Sequence, residues 1–212
     1  MLLTYIANLP TTAPGHIKAI DQLTTTYKNN ITSLNVAWGI NIASFEGLAS
    51  VTFTLWEWGT TSRQKDESDF LFTVASQYFQ VCRDAIKAED PHHMYLGEKL
   101  AGPPPSQQTS LLQAAALYSD AVAIDWYVAE VDMSVITNLY DIVLLPIIIG
   151  EFSFKAMDSG LPNTAGAAVP VATQQDRATG LKYYVMNVTR HPAVVGFDWF
   201  EYIDEPALVC RV

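Results

Sequence analysis

Short, β-branched apolar runs alternate with longer segments of helical period over residues 69–212, and this alternation predicts βαβ units and a parallel α/β fold. The run Leu145-Pro146-Ile147-Ile148-Ile149-Gly150-Glu151 is nearly all apolar, as a strand buried on both faces should be. It ends on a carboxylate, and two other runs also end on polar and aromatic residues in place of a turn. Ala121-Val122-Ala123-Ile124-Asp125 continues into Trp126-Tyr127, and Ala193-Val194-Val195-Gly196-Phe197 into Asp198-Trp199-Phe200-Glu201-Tyr202. Parallel α/β folds place their chemistry at such carboxyl ends.

Each element follows from its pattern. Between His16 and Leu34 the apolar residues Ile17, Ile20, Leu23, Tyr27, Ile31 and Leu34 recur near helical spacing, after the loop-forming Pro10 and Pro14. Residues 35–68 scatter Trp38, Phe45, Phe53, Trp56 and Trp58 among Gly, Ser and Thr, which reads as a long aromatic-rich excursion. Asp69 to Ala88 carries Leu71, Val74, Tyr78, Cys82 and Ile86 on one face and predicts a helix. The segment 94–97 reads as a strand ending at Glu98-Lys99. Pro103-Pro104-Pro105 marks a loop, and Ser106 is placed to cap a helix running to about Tyr118. A strand over 121–127, a helix from Met133 to about Tyr140 and a strand over 145–151 follow. A polar loop covers 155–172, Thr173 caps a helix over 174–190, and the last strand is 193–199. The expected organisation is one domain over 1–212, with a helix and excursion in 1–68 and regular βα units in 69–212.

Composition narrows the function. Half of the 212 residues are hydrophobic and 16% are charged, enough for a sizeable core. The formal net charge of −10, from 22 acidic and 12 basic side chains, with no Lys/Arg-rich tract, argues against nucleic acid and anionic membrane surfaces. Cys82 and Cys210 are far apart and imply neither a zinc site nor a disulfide framework. No cofactor or metal is implied. The longest apolar run, Ile142 to Gly150, is too short to span a bilayer, and residues 1–9 lack the basic leader and cleavage site of a signal peptide. His92, His93 and His191 precede strands and read as structural, whereas His16 opens a helix and is expected to be solvated.

Carboxylates among aromatics at converging strand ends suggest a carbohydrate site, because aromatic faces stack on sugar rings while carboxylates perform acid–base work. Glu151 is the leading catalytic candidate, able to act as a nucleophile if a cation or hydrogen bonds keep it ionised.

Three groups of residues extend this reading. They are Asp90-Pro91-His92-His93-Met94-Tyr95-Leu96-Gly97; Pro146 to Phe154 with Asp158 and Gly160; and His191-Pro192-Ala193-Val194-Val195-Gly196 followed by Trp199-Phe200 and Tyr202-Ile203-Asp204-Glu205-Pro206. In this order they resemble the carboxyl-terminal half of exo-β-agarase-type glycoside hydrolases, retaining enzymes built on a (β/α)8 barrel. Leu34 to Gly39 resembles the region before their fifth strand. The resemblance implies a partial TIM-type barrel covering strands five to eight with flanking helices, and Glu151 as nucleophile. It also implies Trp126 or Tyr127 as an aromatic beside the nucleophile, and Trp199 as part of the sugar floor. A carbohydrate of the β-galactan type is the implied substrate.

The pattern departs from that family at three places. The general acid/base of the family is a Glu after an Asn at the end of strand four, and no Asn-Glu dipeptide occurs in this sequence. The resemblance places residue 1 just after that point, so strands one to four and the acid are expected to be missing. Asp198 and Glu201 stand where the family carries His and Gln, and Glu98-Lys99 where it carries Arg. Glu98, Asp198 and Glu201 are therefore candidate substrate contacts, and together with Glu57 and Glu46 the candidates for a replacement acid. Half a barrel leaves two open strand edges, to be met by a partner chain completing it, by pairing of two copies or by cover from the 35–68 excursion, and association is expected. Loss of the acid leaves a non-catalytic sugar-binding remnant as the alternative.

Overall fold

The computed structural model describes residues 2–52, 59–102, 109–161, 163 and 166–201, and the chain divides into two compact units, residues 1–77 and 78–212. The excursion aromatics Phe53, Trp56 and Trp58, the carboxylate of Glu57, the cap expected at Ser106, the thiol of Cys210 and the motif 202–206 lie outside the described residues.

In the first unit, α1 (Leu2–Ala7), α2 (Pro14–Thr26), α3 (Ile31–Trp38), a 3-10 helix (Phe45–Ser50) and the beginning of α4 (Thr61–Glu89) surround one core. Leu3, Leu23, Leu34, Trp38, Phe45, Leu48 and Phe70 form its centre. The single helix expected over 16–34 is two helices. Lys28 and Asn29 take positive φ values of 52° and 56°, and left-handed backbone ends an α-helix. Asn30 then caps α3 by accepting a hydrogen bond from the Ser33 amide at 3.1 Å.

α4 begins at Thr61, not Asp69, because the polar residues of its first turns are buried with partners instead of solvated. The Asp66 carboxylate accepts from the Tyr27 hydroxyl at 2.6 Å and the Trp38 indole at 2.7 Å. That of Glu67 accepts from the amides of Leu3 and Thr4 at 2.8 and 3.2 Å, satisfying two orphan donors at the start of α1. His16 is buried, with Nδ1 2.9 Å from the Ala7 carbonyl, which corrects its expected exposure.

The second unit is mixed α/β with parallel strands. Its four-stranded sheet has the order β1 (Lys99–Ala101), β2 (Val122–Asp125), β3 (Ile147–Phe152) and β6 (Val194–Trp199), and every pairing is parallel. Spatial order equals chain order, with no reversal between strands. α5 (Thr109–Tyr118) and α6 (Met133–Val143) follow β1 and β2, and α7 (Gln174–Val188) precedes β6. Ile124, Ile147, Ile149, Phe152, Leu112, Ile136, Leu139, Tyr184 and Val188 form the core between one sheet face and these helices.

Two expectations shift here. The strand placed at 94–97 is observed at Lys99–Ala101, since the backbone of Tyr95 is engaged by Asp120 instead of by a strand. The Asp120 amide donates to the Tyr95 carbonyl at 2.7 Å, and the Tyr95 amide donates to the Asp120 carboxylate at 2.8 Å. The polar loop over 155–172 contains a second, two-stranded parallel pair, β4 (Phe154–Ala156) with β5 (Val169–Val171). The cap of α7 is as expected and closes a full capping box, Thr173 bonding the Asp176 amide while Asp176 returns to the Thr173 amide. Among the described residues no helix is long and apolar enough to cross a membrane.

Ile149 is fully buried at the middle of β3. Its replacement by Ala is expected to cost about 2–5 kcal/mol through lost burial and the cavity left behind, read as a lowered urea midpoint at unchanged m-value.

Candidate active site at the carboxyl ends of the sheet

The site is built by an irregularity in strand pairing. Ile124 pairs with Ile149, yet the next residue of β2, Asp125, pairs with Glu151, so Gly150 and Glu151 together oppose a single step of β2. Such a bulge re-aims side chains at the end of a strand. The Trp126 amide donates to the Glu151 carbonyl at 2.7 Å and the Gly102 amide to the Asp125 carbonyl at 2.7 Å, fixing both strand ends.

The Glu151 carboxylate is held at both oxygens. Oε1 accepts from Lys99 Nζ at 2.5 Å, and Oε2 from the Tyr127 hydroxyl at 2.9 Å. Its side chain is 19% exposed, whereas that of Lys99 is half exposed. The Lys99 stem reaches Glu151 by crossing Gly150. A Cβ added at Gly150 would lie 2.9 Å from Lys99 Cδ and 3.0 Å from Asp125 Oδ1, so only glycine leaves this passage open.

The electrostatics follow from this packing. The hydrogen bond to Glu151 raises the Lys99 pKa against a partial desolvation penalty, and the charges of Glu151, Asp125 and Asp198 add to the rise. Burial first, then the hydrogen bond to Glu151, raises Tyr127, with Asp125 and Glu201 contributing through their charge. Burial also raises Asp125, the charge of Glu151 adds to it, and Lys99 opposes it. The Lys99 ammonium further lies 5.9 Å from the centre of the Phe200 ring.

Glu151, Tyr127, Asp198 and Glu201 are thus brought into one cluster. Trp199 is half-buried beside it, its ring edge-on to Phe152 at 5.6 Å and 5.2 Å from the Arg177 guanidinium. Two candidates are not brought in. Trp126 is 4% exposed and belongs to the core, contributing its backbone to the strand end. Glu98 accepts a short hydrogen bond from the Tyr78 hydroxyl instead of turning to Glu151. Among the candidate acids, Glu46 is in the 3-10 helix of the first unit. Sequence reasoning missed Asp125 and Lys99 as members of the cluster. The available signal for the first was that the run 121–125, like the run 145–151, ends on a carboxylate.

No family model matches the chain. It is 34% identical over 186 residues to β-agarase A of Vibrio sp. (strain JT0107), an alignment covering 85% of this chain and 18% of that protein. Its fold matches the crystal structure of an agarase, AgWH50C, with a TM-score of 0.84 and 31% identity over 97% of this chain and 28% of the other. The chain is a relative of the β-agarases. A solved exo-β-agarase matches with a TM-score of 0.83 and 30% identity, covering 96% of this chain and 27% of that one. This agarase-type segment therefore spans less than a third of the length of each of these relatives, which are glycoside hydrolases.

Gly150→Ala is expected to lower stability by about 1–3 kcal/mol, since the new methyl meets the Lys99 stem and the Asp125 carboxyl. Gly196→Ala is the control. Its methyl would make only ordinary contacts of 3.8 Å with Ile148, and its urea midpoint is expected to stay near that of the parent.

Proposed function

We propose that this chain is the nucleophile-bearing segment of a retaining glycoside hydrolase acting on agarose-type β-galactan, with Glu151 as nucleophile. One observation carries the reading: Glu151 stands at the carboxyl end of β3, with Lys99 and Tyr127 each donating to one of its oxygens. Such donors fix the direction from which the carboxylate meets an anomeric carbon. The similarity to β-agarases supports the substrate class. Tyr127, Asp198, Glu201 and Trp199 are the proposed sugar contacts. Trp126 and Glu98 would act only from behind this group, by supporting the strand end and the loop before β1.

The sheet supports a barrel arc corresponding to strands five to eight. Four parallel strands follow one another in space as they do in sequence, as in a (β/α)8 barrel and unlike a doubly wound sheet. β1 and β6 are its edges, and an unpaired edge is a template for another strand. The remaining strands, and a general acid/base, are proposed to come from polypeptide corresponding to the rest of an agarase. The sequence favours this source, since it contains no Asn-Glu dipeptide. Without that acid an unactivated glycoside loses about 10²–10⁴-fold in rate.

A 2-fluoro-β-galactoside with an activated leaving group isolates the nucleophile from the acid, because such a leaving group departs with little protonation. Intact mass is expected to show one covalent adduct on the parent and none on Glu151→Ala. Oligosaccharide binding without an adduct, in folded protein, would favour the non-catalytic sugar-binding reading, which the missing Asn-Glu also fits.

A further inference from the structure

Three carboxylates face one ammonium in this cluster. Glu151 bonds Lys99 directly, and Asp125 and Asp198 lie near enough that each would raise the Lys99 pKa when ionised. Asp125 differs from the other two in its surroundings. Its Oδ1 is buried beside Gly150 and has no hydrogen-bond partner among the described residues, although the residue as a whole is only half-buried. The groups facing it are Lys99 from β1, Glu151 in register on β3, and Tyr127 two residues further along the chain, past the end of β2. The one cation among them is already committed to Glu151. An enclosed, unpartnered oxygen is costly on an anion and far less so on an uncharged carboxyl.

We propose that Asp125 is a positioning residue of this site, standing beside Glu151 as an uncharged carboxylic acid so that Glu151 alone takes the Lys99 ammonium. The inference rests on the reading of Glu151 as the functional carboxylate and adds the group that keeps its cation in place. Ionisation of Asp125 would add a second anion in register with Glu151 and draw Lys99 toward it. The direction of the Asp125 shift agrees, burial and the Glu151 charge both favouring the proton.

The sign for stability follows. An acid that holds its proton more tightly when folded contributes fully below the unfolded value of about 3.9, and the contribution is lost as pH rises through the folded value. Asp125→Asn mimics the uncharged acid and removes that loss.

The test is a titration of side-chain carboxyl 13C signals in the full chain, parent against Asp125→Asn and Lys99→Met. The Asp125 carbon is expected to stay at its protonated shift well above pH 4, and the Glu151 carbon to show an inflection at the pH where Asp125 ionises. That inflection should vanish in Asp125→Asn, and in Lys99→Met the Asp125 proton should be held to still higher pH. The rate of 2-fluoro-galactoside trapping should fall at the same pH in the parent and stay level in Asp125→Asn. An Asp125 carbon titrating at or below about pH 4 overturns the proposal, as does an unchanged Glu151 inflection in Asp125→Asn. Failure of the glycosidase reading is separate: no variant forms an adduct, while the Asp125 titration still decides the protonation state.

Discussion

Lys99 reaches Glu151 only because Gly150 has no side chain. Its stem occupies the space a side chain at residue 150 would enter, 2.9 Å from the Cβ position, and the ammonium meets Glu151, with Asp125 and Asp198 close enough to act on it when ionised. Removing that passage would take the Lys99 ammonium from Glu151 and leave its carboxylate with the Tyr127 hydroxyl. A half-buried carboxylate that loses its charged partner is destabilised. The bulge at Gly150 and Glu151 serves the same arrangement, bringing Glu151 into register with Asp125. The geometry of the cluster is thus a consequence of backbone irregularity at one step of β3, and the side chains follow from it.

Much of this was legible in the sequence because it rests on local pattern. The isoleucine run of β3 ends at a carboxylate in the chain and in the fold alike, and Thr173 with Asp176 three residues later is a capping signature readable without a structure. What was not legible depends on partners distant in sequence. Trp126 and Tyr127 are adjacent aromatics, yet alternation sends one into the core and the other to Glu151. Lys99 is an ordinary surface lysine by sequence; only the pairing of β1 with β2 aims it across the strand ends.

The displaced elements fail for the same reason. Apolar periodicity continues from Ile17 to Leu34, so nothing in the hydrophobic pattern marks the left-handed turn at Lys28 and Asn29. The first turns of α4 look solvated because Arg63, Asp66 and Glu67 are charged, while the fold buries them against indole, phenol and backbone partners. Polar residues in a buried network mimic a surface in composition.

The support behind Glu151 comes from the core side of the sheet. Phe152, the next residue of β3, stacks on Tyr184 of α7 with ring centroids 4.1 Å apart, and the Tyr184 hydroxyl donates to the Trp126 carbonyl at 2.7 Å. One helical side chain therefore ties the ends of β2 and β3 together from the core side, and a site supported on packed elements holds its geometry. The acids at the site are placed differently. Asp125 and Glu151 are in-register neighbours on adjacent strands, and Asp198 and Glu201 act on the Lys99 and Tyr127 that already serve Glu151. Retaining chemistry needs a proton donor about 5–5.5 Å from the nucleophile, on the far side of the scissile bond. On the glycosidase reading, these described acids gather around the nucleophile and its partners, which is the physical reason to look for the donor on the strands that complete the sheet.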